Sequence, residues 1–319
     1  MKHATLRQLQ VFAAVARERS FSKAARALHL TQPAVSMQVR QLEGSAGMAL
    51  FERHARGIVL TEAGRALLAR AQGVNELLRE AQESLDALRG MRSGTLKLGA
   101  VSTAKYFVPS LLAEFAPAYP GVSIRFDVAN REQIVRQLAD NEIDLAIMGR
   151  PPRELHTVAE PFSRHALLVV AAPGHPLVGR KNLPLSKLAD EPFLIRERGS
   201  GTRAVMERTF RDRGVRWHAT MEITSNETIK QSVMAGLGIS FLSIHTVGLE
   251  LATGRLVALH VRGLPVMRDW YVIHLRDKRL TPVTAAFRDF LIERGTGIIE
   301  RATGIKLAPR RSRATRRPR

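Results

Sequence analysis

Residues 29–43 read HLTQPAVSMQVRQLE. At about 100° per residue, Val35, Val39 and Leu42 fall on one stripe of a helix. Pro33, Ser36, Met37 and Arg40 lie opposite, with Gln32 at the leading end. Thr31 is placed to cap this helix, and Pro33 sits in its first turn, where a missing N–H costs nothing. Just upstream, SKAARAL (22–28) reads as a second helix with Ser22 as its N-cap and Ala24, Ala25 and Leu28 facing inward; the small alanines let another helix approach closely. Leu6, Leu9, Phe12 and Val15 recur every three residues and mark a helix before that. Two short helices joined by a three-residue turn (29–31), the second with a polar outer face, make a helix-turn-helix. That outer face has the chemistry of a major-groove reader. Gln32 can pair with adenine, Arg40 with guanine or a phosphate, and Pro33 or Met37 can pack on thymine methyls. A solvated helix face is the plain alternative, since exposed Gln and Arg occur on any helix.

Working outward, FERHARGIVLTEAG (51–64) reads as a hairpin wing. Arg53, His54 and Arg56 cluster near a turn at Gly57, and residues 58–60 form the returning strand. A basic tip of this kind suits the phosphate backbone, though a merely solvated loop has the same composition. Ser22, Thr31, Gln32, Pro33, Ser36, Met37, Arg40, Arg53 and Arg56 are therefore the candidate DNA-binding set. Thr61 caps a long helix expected to reach about Met91. Leu67, Ala71, Val74, Leu78, Ala81, Leu85 and Leu88 are spaced 4-3-4-3-4-3 along it, an unbroken heptad seam. A helix of about 30 residues spans roughly 45 Å. A second copy is the simplest cover for that seam, with Leu67, Val74, Leu78, Leu85 and Leu88 as dimerisation residues; packing on the chain's own domain is the alternative.

Bulk properties are compatible with this reading. The 319 residues suffice for two or three domains, and 45% hydrophobic with 24% charged residues is an ordinary globular balance. No apolar run approaches the roughly 18 residues that span a bilayer, and the amino terminus has no secretory pattern, so a cytoplasmic protein without a membrane partner is expected. There is no cysteine, which excludes disulfides and thiolate metal sites. The 49 basic and 29 acidic residues leave a net charge of +20. Residues 1–60 hold 9 basic against 3 acidic, and residues 306–319 hold 7 basic and none acidic. Such a surplus favours a polyanion partner, although charge alone does not separate DNA from an anionic membrane or a small anion. No two of the ten histidines stand at i,i+3 or i,i+4. There is no GxSxG elbow, GxGxxG or GxxxxGK[ST], so neither a metal nor a catalytic residue is assigned.

SFSKAARALHLTQPAVSMQVRQLE followed by GIVLTEAG resembles the DNA-binding signature of LysR-type transcriptional regulators. The resemblance runs to about residue 295. Within it VSTAKYFVP (101–109), NREQ (130–133) and ADNEIDLAIMGRPP (139–152) resemble the CbbR subgroup, whose members control operons for carbon dioxide fixation through RuBisCO and the Calvin cycle.

The second half also reads on its own terms. Strands at 95–101, 122–128 and 143–149 alternate with helices at 104–119 and 131–140. The pattern resumes with strands at 166–173, 219–224 and 238–243 and helices at 202–213 and 227–235; a strand at 269–275 and a helix at 281–294 finish it. Such alternation indicates a parallel α/β sheet. The resemblance implies two lobes connected twice, in the manner of periplasmic binding proteins. The expected organisation is thus a winged helix-turn-helix (1–60), a linker and dimerisation helix (61–92), effector lobe 1 (93–163 with 268–295), effector lobe 2 (164–267) and a basic, disordered tail (296–319).

Ligands of such sheets bind at the carboxyl ends of strands. Ser102 and Thr103 end one strand, Gly199-Ser200-Gly201-Thr202 opens a helix in the other lobe, and Asn226 is placed to cap a further helix. With Lys105, Asn130, Arg131, Arg150 and Arg203 these make the candidate effector site. Helix amino termini with Lys and Arg favour a carboxylate or phosphate. Ordinary capping and surface solvation are the competing explanations for each residue. The expected function is a non-enzymatic DNA-binding regulator, an activator, responding to a small anionic metabolite and taking no resident cofactor. The resemblance implies a phosphorylated metabolite or NADPH as that anion, a homodimer or homotetramer on double-stranded promoter DNA, and RNA polymerase as a further partner. A regulator of a different operon and a soluble solute-binding protein are the alternatives.

Overall fold

The computed structural model describes residues 1, 4–54, 57–88 and 93–307. The chain divides into two compact units, Met1–Leu88 and Arg89–Arg319.

The amino-terminal unit holds α1 (Leu6–Glu18), α2 (Phe21–Ala27), α3 (Gln32–Ala46), a hairpin of β1 (Phe51–His54) with β2 (Gly57–Leu60), and α4 (Glu62–Leu88). Val35 and Val39 of α3 pack with Val11, Val15, Ala24 and Ala25, while Leu42 joins Phe12, Leu50 and Ala71. α2 can approach α3 closely because its two fully buried residues, Ala24 and Ala25, are alanines. His29 takes a left-handed conformation (φ 53°) after α2. There the Leu30 N–H bonds back to the Ala25 carbonyl, a helix stop that sets the direction of α3. Glu43 pins the wing to α3, its Oε1 accepting from the backbone N–H groups of Leu50 and Phe51 at 2.9 and 3.3 Å. Gly64, at the end of the LTEAG run, is required by close approach: a Cβ there would collide with the Leu50 carbonyl oxygen.

Three sequence expectations change here. The cap of α2 is Ser20, whose hydroxyl accepts from the Lys23 N–H, and Ser22 lies within the first turn. The returning wing strand begins at Gly57, opposite His54. The heptad seam splits. Ala71 is buried and Leu67 half-buried on this unit's own core, whereas Leu78 and Leu85 are 43% and 52% exposed. Val74 is half-buried, the side chain of Leu88 lies outside the described residues, and so does the expected end of the helix at Met91.

In the second unit the strands are β3 (Ser93–Val101), β4 (Gly121–Ala129), β5 (Leu145–Met148), β6 (Thr157–Ala171), β7 (Pro192–Arg196), β8 (His218–Ile223), β9 (Ser240–Ser243), β10 (Val257–Ala258) and β11 (Val266–Leu275). The helices are α5 (Val108–Phe115), α6 (Arg131–Ala139), α7 (Gly201–Arg211), α8 (Asn226–Met234), α9 (Ile244–Ala252) and α10 (Pro282–Thr303). β3 runs parallel to β4 and β5, and β11 runs antiparallel to β5 and β6. The carboxyl half of β6 pairs with β9 and β10, while β7 and β8 form a parallel pair. β6 and β11 are paired along nearly their whole length, Thr157 opposite Leu275 and Leu167 opposite Val266, and so pass through both lobes. The lobe boundaries expected at 163/164 and 267/268 fall inside these two strands.

One lobe is built on Leu96, Leu98, Phe107, Phe115, Trp270 and Phe287, the other on Phe193, Phe210, Ile239 and Phe241. The helix expected over 104–119 is three pieces, a 3₁₀ turn at Ala104–Tyr106, α5, and a 3₁₀ turn at Ala116–Ala118. β6 begins nine residues before the expected strand, and β7, α9 and β10 were not anticipated. The region expected to be a disordered tail starts as helix: α10 continues to Thr303, with Ile298 and Ile299 buried in the core. Residues 308–319, where the arginine-rich run falls, lie outside the described residues.

Candidate functional site

On the amino-terminal unit the outer face of α3 is uncovered. Gln32, Pro33, Met37 and Arg40 are exposed and Ser36 is half-buried, while Thr31 caps the helix by accepting from the Ala34 N–H. Gln32 Nε2 donates to Ser36 Oγ at 2.9 Å, which holds the amide along the helix. Met37 is 52% exposed, and Arg40 makes no ion pair among the described residues. An apolar side chain, an amide and a free guanidinium on one rigid face can contact base edges and phosphates together. Arg53 lies in β1 opposite Ile58. Arg56 lies outside the described residues.

In the second unit the carboxyl ends of β3, β4, β5 and β7 meet at a cavity of about 760 Å³ between the lobes. This is within the range of small-metabolite sites. Its wall includes Ser102, Thr103, Asn130, Arg131, Arg150, Thr202 and Arg203 from the expected set. Asn130 caps α6, accepting from the Gln133 N–H. At the start of α7, Ser200 accepts from the Arg203 N–H, so the N–H groups of Gly201 and Thr202 lack helical acceptors. Eight arginines and three glutamates line the cavity. The surplus charge calls for an anion.

The pairing of these arginines was not expected. Arg203 is committed to Glu207 at 2.7 Å, Glu222 at 2.6 Å and the Arg196 carbonyl at 3.2 Å. Its bond to Glu207 leads the effects that hold its pKa above the ordinary value. Arg131 pairs with Glu154 at 3.3 Å. Arg150 is different: desolvation, then repulsion from Arg153, Arg208, Arg268 and Arg131, pushes its pKa down. It has no carboxylate partner among the described residues. Sequence reasoning also missed Arg153, Arg196, Arg208, Arg268, His165 and Trp270, all on the cavity wall.

Two expected residues work elsewhere. Lys105 does not line the cavity. Its Nζ lies 2.7 Å from Glu227 Oε2, and the neighbouring Tyr106 hydroxyl donates to Glu227 Oε1. Burial acts to raise the Glu227 carboxyl, but the hydrogen bonds from Lys105 and Tyr106 outweigh it and bring the pKa to about 2. The same bond, after burial, drives the Tyr106 hydroxyl far above its usual range. Asn226 is not a cap, because Ser225 caps α8. Asn226 is buried, accepts from Arg196 Nη1, and donates Nδ2 to the Ser102 carbonyl at 3.3 Å. Arg196, only 2% exposed, also donates to Ser102 Oγ at 2.9 Å. These bonds join the two lobes beside the cavity.

His165 and His245 flank Trp270. Burial holds His245 at about 4, and burial, with His245 and Arg268 adding to it, holds His165 well below the usual imidazole value. Both are neutral in the folded chain at pH 7, whereas in the unfolded chain they take up protons near 6.5. Stability is therefore full above that pH and is lost as pH falls from about 6.5 towards 4. Between pH 7 and pH 5 His245 alone accounts for about 2 kcal/mol. Urea midpoints across that range should decline in the wild type and decline less in His245→Gln. An equal slope in both would refute the assignment.

A winged helix-turn-helix together with a two-lobed α/β unit holding a cationic cleft defines a ligand-responsive DNA-binding regulator. Residues 6–65 match the family model for the bacterial regulatory helix-turn-helix protein, lysR family, and residues 89–296 match the LysR substrate binding domain. The chain belongs to the LysR family of transcriptional regulators. A RuBisCO operon transcriptional regulator from Allochromatium vinosum is 49% identical, over 91% of this chain and 96% of that protein. The HTH-type transcriptional regulator CfxR of Cupriavidus necator is 50% identical, over 96% and 97%. Among solved structures, the CcmR regulatory domain of Synechocystis PCC6803 in complex with 2-PG is 42% identical with a TM-score of 0.61, covering 63% of this chain and 96% of that one. Among the described residues no helix is long and apolar enough to cross a membrane.

Proposed function

We propose that this chain regulates the transcription of carbon dioxide-fixation genes, acting as an activator whose DNA-bound form is selected by a small anionic metabolite in the interlobe cleft. The similarity to a RuBisCO operon regulator extends through both units, and this observation carries the reading. The metabolite is phosphorylated or is NADPH, an anion that suits the surplus of arginines on the cleft wall; no cofactor is otherwise required. An anion that prefers one lobe arrangement shifts the population towards it, and the readout is the spacing of paired helix-turn-helix units on bent promoter DNA. Pairing uses the part of the α4 seam that its own unit leaves exposed, at Leu78 and Leu85. A dimer or a dimer of dimers, contacting RNA polymerase at the promoter in the cytoplasm, completes the proposal.

Gel shifts on the DNA flanking the chain's own gene test the first step. Arg40→Ala should weaken binding by about 1–3 kcal/mol if Arg40 reads a base. A loss of the same size on every sequence would mean phosphate contact alone. The effector step is tested separately by Thr202→Val. That variant should bind the operator with wild-type affinity but lose any footprint change produced by 2-PG, and a retained change would remove Thr202 from the site.

A further inference from the structure

Lobe 2 carries a charged surface outside the cleft. Three chain segments, 179–187, 211–216 and 259–264, hold seven Lys and Arg residues against one acid, Asp212. The fold brings these segments side by side. The Leu183 N–H donates to the His260 carbonyl at 2.9 Å and the Arg262 N–H to the Leu183 carbonyl at 2.8 Å, which lays the first segment along the third. Arg213 Nη2 donates to the Gly263 carbonyl at 3.1 Å and joins the second segment to them. Leu183, Leu185, Phe210, Val215 and Val261 share one core beneath. The cations between these apolar residues point the other way: Arg180, Lys181, Lys187, Arg211, Arg213, Arg216 and Arg262 are all exposed. Arg211 has Asp212 at 3.8 Å, and the other six have no carboxylate partner among the described residues. His260 Nδ1 accepts from the Asn182 N–H at 3.0 Å, so the neutral ring carries its proton on Nε2 and adds a donor on another exposed residue. Cations gathered without counter-charges repel one another and add nothing to the fold, so the cluster calls for an anionic partner.

The kind of polyanion follows from what the surface lacks. None of the large hydrophobic side chains exposed among the described residues falls in the three segments. Protein partners are anchored by aromatic and aliphatic side chains, and attachment to a membrane surface sets an apolar face beside the cations. A duplex backbone asks for neither. It presents one negative charge per roughly 1.7 Å of axis, which Lys, Arg and neutral N–H donors meet. A chain of this family is already on DNA through its helix-turn-helix, so a second contact to the same duplex is made at high effective concentration.

We propose that this face of lobe 2, with Arg180, Lys181, Arg213, Arg216 and Arg262 at its centre, is a second DNA-contacting surface that holds the phosphate backbone without reading sequence. The contact adds affinity and salt dependence to what α3 supplies. It does not depend on which effector fills the cleft or on which genes are controlled.

The test uses the full-length protein and fluorescence anisotropy on a duplex of about 60 base pairs from the DNA flanking the chain's own gene, between about 50 and 300 mM salt. Arg180→Gln, Lys181→Gln, Arg216→Gln and Arg262→Gln are combined in one variant, which keeps Arg213 and its bond to Gly263. A control variant removes the same charge from exposed positions of lobe 1, with Arg125→Gln, Arg136→Gln, Arg276→Gln and Arg279→Gln. Each phosphate contact contributes about 0.9 to the slope of log affinity against log salt, so the lobe 2 variant should flatten that slope by about two or more. Its affinity at the lowest salt should fall about ten-fold or more, while the control slope changes by less than about one. An unchanged slope in the lobe 2 variant would overturn the proposal, and an equal flattening in both variants would overturn it in favour of net charge alone. Vesicles of phosphatidylglycerol and phosphatidylcholine are pelleted with the same proteins. If the wild type sediments with them, the lobe 2 variant does not and the DNA slope is unchanged, the surface belongs to a membrane and the DNA assignment falls.

Discussion

Arg196→Met should destabilise the carboxy-terminal unit by about 3–5 kcal/mol and abolish its response to effector. The guanidinium is 2% exposed and makes a forked pair with Glu197, at 2.8 Å from Nε to Oε2 and 3.0 Å from Nη2 to Oε1. Glu197 is itself 12% exposed at its side chain, so removal of the guanidinium leaves a desolvated carboxylate without its cation. The same substitution deletes the bond to Ser102, which ties the end of β7 in one lobe to the end of β3 in the other, and the bond to Asn226, whose own amide reaches the Ser102 carbonyl. A planar fork with five donors serves four acceptor atoms on three residues at once, so Arg196→Lys should fail almost as badly. Chemical denaturation followed by Trp fluorescence measures the first effect. A footprint on operator DNA with and without 2-PG measures the second. A Met variant within 1 kcal/mol of wild type (well under the cost quoted for a broken buried pair) would show that Glu197 relaxes into solvent and that Arg196 is a lining residue only.

Arg196 also shows where sequence reasoning stops. It closes PFLIR, a five-residue apolar strand bounded by neither a helix pattern nor a turn signal that separates it from a loop, and β7 was missed with it. The features that were legible are local ones. α3 announces itself because its stripe, its Thr31 cap and its Pro33 all sit within fifteen residues. The helix starts at Asn130 and Thr281 follow from the same local chemistry. Where two capping residues stand close together, local rules lose resolution: Ser20 and Ser22, or Ser225 and Asn226, are equally good on paper. The neighbour that wins is chosen by what the other must do, and Asn226 is drawn into the core by Arg196.

Pairing between residues far apart was not legible. Lys105 looks like any cation beside a strand end, and only the fold brings Glu227, 122 residues away, to its ammonium. The free arginines are recognisable only by elimination, once Arg203 is seen to be saturated by Glu207 and Glu222. The last helix is expected from sequence over 281–294, and Gly295 and Gly297, residues that weaken helices, follow directly. Gly295 is there for another reason, because a Cβ at that position would stand 2.8 Å from the Phe162 ring. The helix continues past both glycines on the burial of Ile298 and Ile299. The heptad seam failed in an informative way: a sequence repeat says that a stripe is apolar, not that one partner covers all of it.

Lys230→Met should cost the carboxy-terminal unit about 3 kcal/mol, and the double variant Lys230→Met, Glu250→Leu should recover most of that loss. Lys230 Nζ lies 2.9 Å from Glu250 Oε1, with the two side chains 10% and 12% exposed. The ammonium also stands 4.9 Å from the centre of the Tyr106 ring, a cation–π contact across the lobes. Glu250 Oε2 is buried without a hydrogen-bond partner, so the pair is incompletely satisfied even when intact. That makes the asymmetry sharp. Removal of the cation leaves a carboxylate in a dry environment, whereas removal of both charges leaves no buried charge to desolvate. Denaturation midpoints of the wild type, both single variants and the double variant close the cycle. If the double variant is as unstable as Lys230→Met, the loss comes from the Tyr106 contact and the lobe junction, not from the stranded carboxylate. In that case Tyr106→Leu should reproduce it in full.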